Sequence, residues 1–187
     1  MRASLSLNIL GPLLDAMASA ALLAILGYGH VLSAMGWLGG GILTAFVLGP
    51  NLRKLPPAAA LEFNAKVLPQ ILRFIQVMIG TTFLFGVLLL YFYYDGNFSP
   101  LSTSSQGMEL AAGVVLALAA AAVAFSVTVP SFKKIVKISN SLLQGGQQPP
   151  PPELMKYGKR AKMGSLVGVL LLLTVLAMMV SAGFGFY

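Results

Sequence analysis

The stretch Gly27–Pro50, GYGHVLSAMGWLGGGILTAFVLGP, decides the fold because it contains no Asp, Glu, Lys or Arg. At about 1.5 Å of rise per residue, a helix of this length crosses a hydrocarbon core of roughly 30 Å. The stretch also holds the chain's single histidine, His30, and its single tryptophan, Trp37. It therefore predicts a membrane-spanning helix and raises the question of what one imidazole does there.

The composition extends this interpretation to the whole chain. The 187 residues are 57% hydrophobic and 9% charged, whereas soluble domains are about 25% charged. Too few polar side chains are present to cover a surface in water, so we expect one transmembrane domain over 1–187, embedded in the lipid bilayer. The net charge of +7 then resides mainly in loops beside the membrane, and we expect no nucleic-acid partner. The absence of cysteine excludes disulfides and thiolate metal sites.

Four apolar segments are long enough to span a bilayer, and each must be a helix because lipid cannot satisfy an open strand edge. They lie at about 22–48, 74–94, 110–129 and 163–186. The sequence therefore predicts an all-α, polytopic membrane protein with a bundle of four transmembrane helices.

The ends of two spans are marked by proline, and the start of the first is open to two interpretations. We expect the first span to close at Gly49-Pro50 and the third at Pro130. The N-terminal segment is expected to stay in the folded chain rather than to be a cleaved signal. We expect one long or kinked first helix; the alternative is a fifth span at 5–26 with a tight turn at 27–29.

The basic residues set the expected orientation. Of the twelve Lys and Arg residues, four lie between spans one and two and seven lie between spans three and four. By the positive-inside rule both segments face the cytoplasm of a cell membrane, so both termini and the 95–109 loop face outward. We expect 131–162 to be a basic, Pro-rich cytoplasmic loop that starts as an extension of the third helix. The aromatic residues 91–94 are expected at the outer interface.

Among the candidate residues, His30 has the side chain best suited to bind a metal ion or a haem. Neutral imidazole is a common ligand of haem and of copper, and polar groups inside membranes are functional hypotheses by default. We expect His30 about one turn inside the outer end of the first span, facing a neighbouring helix. The alternative is structural: the ring hydrogen-bonds a carbonyl or a headgroup and does nothing else. One histidine cannot form a bis-histidine haem site alone, so a second ligand would come from methionine, lysine, water or another chain.

Small residues predict close helix contacts. Gly36, Gly40 and Gly41 flank Trp37 in the first span, and Gly164 and Gly168 have the spacing of a Gly-x-x-x-Gly motif in the fourth. All six residues are therefore candidates for helix packing.

Other polar residues give weaker indications. Arg73, Lys133, Lys134 and Lys137 could contact lipid phosphates or an anion, although such side chains also snorkel to the interface. Asp15, Asp95 and Glu109 fall on the expected outer side, where they could join His30 in a metal or proton site. Thr103 and Gln106 fit a capping box for the third span.

The chain also resembles a known family. The stretches GHVLSAMGWLGGGILTAFVLGP, LPQILRFIQVMIGTTFLFGVLLLY and KRAKMGSLVGVLLLLTVLAMMVSAGF are similar to helices of copper-resistance D (CopD)-like membrane proteins. The resemblance implies a helical bundle and a role in copper uptake. Distant relatives bind haem through a first-helix histidine, which corresponds to His30, and use a lysine within a later helix that this chain lacks.

Three functions remain open from the sequence. No nucleophile elbow, Walker loop, dinucleotide fingerprint or metalloprotease motif is present, so no catalytic residue is assigned. We expect an accessory or structural subunit of a larger membrane redox complex, of the oxidase or copper-dependent monooxygenase type. The alternatives are a stand-alone haem b or copper protein that uses His30, and a transporter of a small solute.

Overall fold

The chain folds into helices almost throughout. The computed structural model describes residues 2–145 and 151–184, with side chains described at 17, 19–145 and 151–182. It is 91% helical, and no strand occurs in that part of the chain. The helices are α1 (Arg2–Ile42), α2 (Gly49–Leu52), α3 (Pro57–Lys66), α4 (Leu68–Tyr93), α5 (Pro100–Thr103), α6 (Ser105–Val123), α7 (Val129–Gln144) and α8 (Pro152–Phe184). Two π-helical segments, Leu43–Leu48 and Ala124–Thr128, join α1 to α2 and α6 to α7.

Four stretches of helix in the described chain are long and apolar enough to cross a membrane. They are Ser19–Leu52, Pro57–Tyr93, Ser105–Gln144 and Pro152–Ala182. Each overlaps one of the four predicted spans, which confirms the all-α bundle of four such helices. Only 11–22% of the most apolar window in each stretch is buried inside the protein, so most apolar side chains face outward, as lipid-facing side chains do.

The N-terminal region is one continuous helix. α1 runs from Arg2 to Ile42 and passes through 27–29 without a turn. With the π-helical segment and α2, the helix reaches Leu52. The prediction of one long first helix is therefore confirmed, and the alternative of a fifth span with a tight turn is wrong. Glycine is compatible with a membrane helix because no water competes for its backbone groups.

Pro130 does not end its helix, which corrects the predicted closure of the third span, whereas the first helix ends at Leu52, two residues after Pro50. Pro50 lies within α2, and the helix that contains Pro130 continues to Gln144. Proline has no N–H, and its ring crowds the preceding turn of an α-helix. The chain widens to π-helix just before each one: Gly49 N–H donates to Thr44 O and Val129 N–H to Ala124 O, each five residues back.

Trp37 lies at the centre of the bundle. α1 packs along α4, α6 packs along α8, and α1 also contacts α8. The Trp37 side chain is 4% exposed and belongs to a cluster with Ile79, Ala120, Ala121 and Leu172, contributed by α4, α6 and α8. Its ring lies 6.0 Å from that of Phe83, between centroids. The indole thus lies in one core cluster with residues of the three other long helices.

A second apolar cluster lies at the basic end of the bundle. It is formed by Leu68, Leu72, Ile135 and Ala161, with Phe132, Val136, Leu154 and Tyr157 packed against it. α3 and α8 both pack on α7. The predicted loop 131–162 is therefore mostly helix, because α7 reaches Gln144 and α8 begins at Pro152. The polyproline character predicted for the linker falls largely on 146–150, outside the described residues.

Candidate functional site

His30 is held by one defined hydrogen bond. Its Nδ1 lies 2.9 Å from the backbone oxygen of Thr82 on α4. A carbonyl oxygen can only accept, so Nδ1 carries the hydrogen and donates. In the neutral ring, Nε2 is then the basic nitrogen, and no described residue hydrogen-bonds to it. The sequence predicted that this ring faces a neighbouring helix, and the structure identifies that helix as α4.

Glycine on the facing helix makes this contact possible. A Cβ on Gly86 would lie 3.0 Å from both Cε1 and Nδ1 of His30. At the residue that precedes His30, a Cβ on Gly29 would lie 2.9 Å from the Phe85 ring. Gly86 was not among the predicted packing residues, although a glycine in the middle of an apolar span indicates close approach of a neighbouring helix.

His30 lies well away from the aromatic residues 91–94. Its partner Thr82 is nine residues before Tyr91, which is about 14 Å along α4 at the rise of an α-helix. The imidazole is therefore more than two helical turns from those residues along α4. Its position about one turn inside the outer end of the first span stays a prediction.

A shallow groove borders the imidazole. It has a volume of about 330 Å³ and is lined by Ala24, Gly27, Tyr28, His30, Val31 and Leu89. Apart from the imidazole and the exposed phenol of Tyr28, the lining is apolar or glycine. No group of three or more His, Asp or Glu side chains that could hold a metal occurs in the described residues. This part of the chain therefore offers one strong nitrogen ligand.

The predicted packing residues of the first span occupy different contacts. Cβ atoms on Gly36 and Gly40 would meet Met78 and Ile75 of α4, at 2.6 and 2.8 Å. Gly41 faces α8 instead, where its Cβ would lie 3.1 Å from Val169. With Trp37 in the core, α1 uses this segment to contact two helices at once.

Gly164 and Gly168 are not equivalent, which corrects their prediction as one packing motif. A Cβ on Gly164 would lie 2.5 Å from Thr128 Oγ1 and 3.1 Å from Val127 Cγ1. A Cβ on Gly168 would meet nothing within 4 Å. Only the first of the two glycines lies at a close helix contact, which it makes with the π-helical segment Ala124–Thr128.

The basic candidates lie away from the imidazole. Arg73 is exposed on α4, nine residues before Thr82, on the side opposite to Tyr91. On α7, Lys133, Lys134 and Lys137 are also exposed. Within the described residues the only ion pair is Lys66–Glu62, at 2.6 Å, so these four cations have no carboxylate partner there.

The residues predicted on the outer side form contacts that differ from the predicted ones. Ser104, not Thr103, caps α6: its Oγ accepts from Gly107 N–H at 3.0 Å. Gln106 donates instead to Ala182 O on α8, at 3.1 Å. The Oε2 of Glu109 is buried without a hydrogen-bond partner in the described chain. The side chain of Asp15 lies outside the described residues.

The fold and the site define the class: a helical protein with four helices long and apolar enough to cross a membrane, which carries one imidazole at a helix contact. No family model matches the chain, and neither a curated protein nor a solved structure shows significant similarity to it.

Proposed function

We propose that this protein is a subunit of a larger membrane redox complex and that His30 supplies an imidazole ligand to a redox group shared with another chain. The complex is of the oxidase or copper-dependent monooxygenase type. The resemblance to CopD-like proteins belongs to this proposal, because it rests on the same first-helix histidine.

The tautomer of His30 is the observation that carries the proposal. A histidine ligand in proteins almost always donates its other ring N–H to a carbonyl or a carboxylate, which fixes the ring and raises its basicity. The hydrogen bond from Nδ1 to Thr82 O is of this kind. It leaves the lone pair of Nε2 free to bind a metal ion.

The donor set fits haem b better than copper. One proximal imidazole is enough to hold a haem iron, and the remainder of a haem is accommodated by apolar surface. The groove beside His30 offers this combination. A copper ion prefers several nitrogen or sulfur ligands, and the described residues bring no second histidine or acid to the ring. When bound, a haem b would supply one-electron transfer.

The shape of the site favours a partner chain. The groove is shallow, and Tyr28 and Val31 at its edge are largely exposed, at 72% and 53%. A haem held there would have one face on this chain and the other outside it. A second ligand would then come from another subunit, which accounts for a chain with few polar groups of its own.

The orientation is proposed from charge. The basic segments that contain α3, α7 and the start of α8 pack together at one end of the bundle. By the positive-inside rule this end faces the cytoplasm of a cell membrane, and the end that carries residues 91–94 faces outward.

The experiment tests the roles of the two ring nitrogens of His30 separately. The protein is isolated gently from its native membrane with whatever co-purifies, and the reduced-minus-oxidised visible spectrum and copper content are recorded. His30→Asn is the informative variant, because its amide can donate to Thr82 O as Nδ1 does but has no counterpart of Nε2. His30→Ala removes both functions, and Tyr28→Phe is the control within the groove.

We expect a haem band in the wild type and in Tyr28→Phe that is lost in both His30 variants, with the Asn variant still folded. Copper at one ion per chain, lost in the same variants, would assign copper instead. A wild-type protein without colour or metal, or a band that His30→Asn retains, would refute the ligand role. Migration of the native protein as a monomer would refute the subunit role.

A further inference from the structure

A cavity of about 320 Å³ lies at the basic end of the bundle, far from His30. It is enclosed by the inner end of the first helix, by α3 and the start of α4, and by α7 and α8. Its lining residues are mainly apolar, among them Leu48, Leu52, Phe63, Leu68, Phe132 and Ile135. Its volume is in the range of pockets for small ligands, about 300–1,000 Å³.

Two cations line this cavity and no acid does. Arg53 at the end of the first helix and Lys162 on α8 both contribute to the lining, which contains neither Asp nor Glu. Neither side chain is in an ion pair, since the one such pair in the described chain is Lys66–Glu62. The cavity therefore has a positive edge that this part of the protein does not neutralise.

Polar groups inside the cavity also lack partners. Ser165 lines it and is only 7% exposed, and its hydroxyl has no hydrogen bond among the described residues. The side-chain amide of Asn64 likewise has none. Thr44, in contrast, donates to the carbonyls of Gly40 and Gly41. The Ser165 Oγ keeps some exposure, so a molecule in the cavity can form a hydrogen bond with it.

We propose that this cavity binds an amphiphile whose phosphate head carries a net negative charge, with the phosphate at Arg53 and Lys162 and the hydrocarbon tail against the apolar walls. Arginine matches phosphate oxygens with paired donors, and lysine adds a point charge. Ser165 lies three residues beyond Lys162 toward the bundle interior, about 4.5 Å along α8, where its hydroxyl can donate to an oxygen near the head. The source is either an anionic lipid of the adjacent leaflet or a soluble single-chain phosphate.

A glycine provides a clean way to fill the cavity. Gly158 lines it, and a Cβ at that position would meet nothing within 4 Å. Gly158→Leu therefore adds apolar bulk at the cavity lining without a backbone clash. Gly80→Leu is the matched control, because Gly80 is exposed in α4, does not line the cavity and also has open space at its Cβ.

The binding experiment uses the full chain, delipidated in a neutral maltoside detergent. Native mass spectrometry and thermal unfolding are followed with four probes: dodecyl phosphate, short-chain phosphatidylglycerol, short-chain phosphatidylcholine and inorganic phosphate. Arg53→Gln with Lys162→Gln removes the head site. Lys156→Gln with Lys159→Gln is its charge-matched control, on exposed residues of α8 outside the cavity.

We expect Gly158→Leu and the Arg53/Lys162 double variant to weaken binding of the anionic amphiphiles by about tenfold or more, the loss expected for charge-assisted bonds or a blocked tail site. Both controls should stay within about twofold, which is near the error of such measurements. Binding of phosphatidylglycerol points to a leaflet lipid, and binding of dodecyl phosphate alone points to a soluble ligand. Equal binding of phosphatidylcholine, full competition by inorganic phosphate, or unchanged affinity in Gly158→Leu would overturn the proposal. None of these outcomes depends on His30.

Discussion

Gly164→Ala and Gly168→Ala form a pair that tests the packing directly. The two positions are one turn apart on α8, and the sequence treats them alike. The structure does not: the added methyl at Gly164 would lie 2.5 Å from Thr128 Oγ1 and 3.1 Å from Val127 Cγ1, whereas at Gly168 it would meet nothing within 4 Å. The first substitution overpacks a helix contact and the second does not.

The size of the expected effect is the difference in unfolding free energy between the two variants. The gain in helix propensity is common to both and cancels in that difference. Alanine is favoured over glycine in a helix by about 0.8–1 kcal/mol, and this gain applies equally at both positions. Overpacking costs about 1–3 kcal/mol where neighbours must move. The free energy of unfolding of Gly168→Ala should therefore equal or exceed that of the wild type. The value for Gly164→Ala should be about 1–3 kcal/mol below that of Gly168→Ala.

The assay is reversible unfolding in mixed micelles, with the helical circular dichroism signal followed as the fraction of denaturing detergent rises. The double variant is the internal control, because its stability change should be near the sum of the two single changes if each acts alone. A Gly164→Ala variant as stable as Gly168→Ala would refute the close approach of α8 to Thr128.

Three further outcomes are expected, each measured by the same unfolding assay. Trp37→Ala should give the largest loss, about 3–5 kcal/mol, because it empties the centre of the bundle; the loss would be small if the indole faced lipid. Ser104→Ala should cost about 1 kcal/mol by removing the cap of α6, while Thr103→Ala should cost less; the reverse order would support the capping box expected from the sequence. Gly107→Ala should be more damaging than Ser104→Ala, because its methyl would clash with the backbone carbonyl of Pro100; wild-type stability would contradict that contact.

The spans could be predicted from the sequence because the properties that define them belong to each segment alone. Length, apolar character and scarcity of charge decide whether a segment can cross a bilayer, and none of these requires a partner. The same holds for the single long first helix: the alternative needed a turn at 27–29, and no polar turn residue supports one there.

The register between helices could not be predicted, since it depends on contacts between distant segments. Nothing in the sequence near His30 indicates that its ring reaches Thr82, 52 residues away. The different surroundings of Gly164 and Gly168 have the same origin, because they depend on where α6 and its π-helical continuation pass α8. The helical passage of Pro130 depends on a widened turn that local propensity does not encode.

The positions of the two proposed sites bear on the class of function. Thr44, the cavity residue on the first helix that is nearest to His30 in sequence, lies 14 residues from it, or about 21 Å along the axis. Between these levels the cluster around Trp37 packs side chains from all four long helices. A transporter needs a path that links the two sides of the membrane. In this structure the side chains of Trp37 and Ile79 fill the bundle between the groove at His30 and the cavity at the basic end. The packed core therefore separates the two candidate sites, and sites so far apart without shared partners act independently.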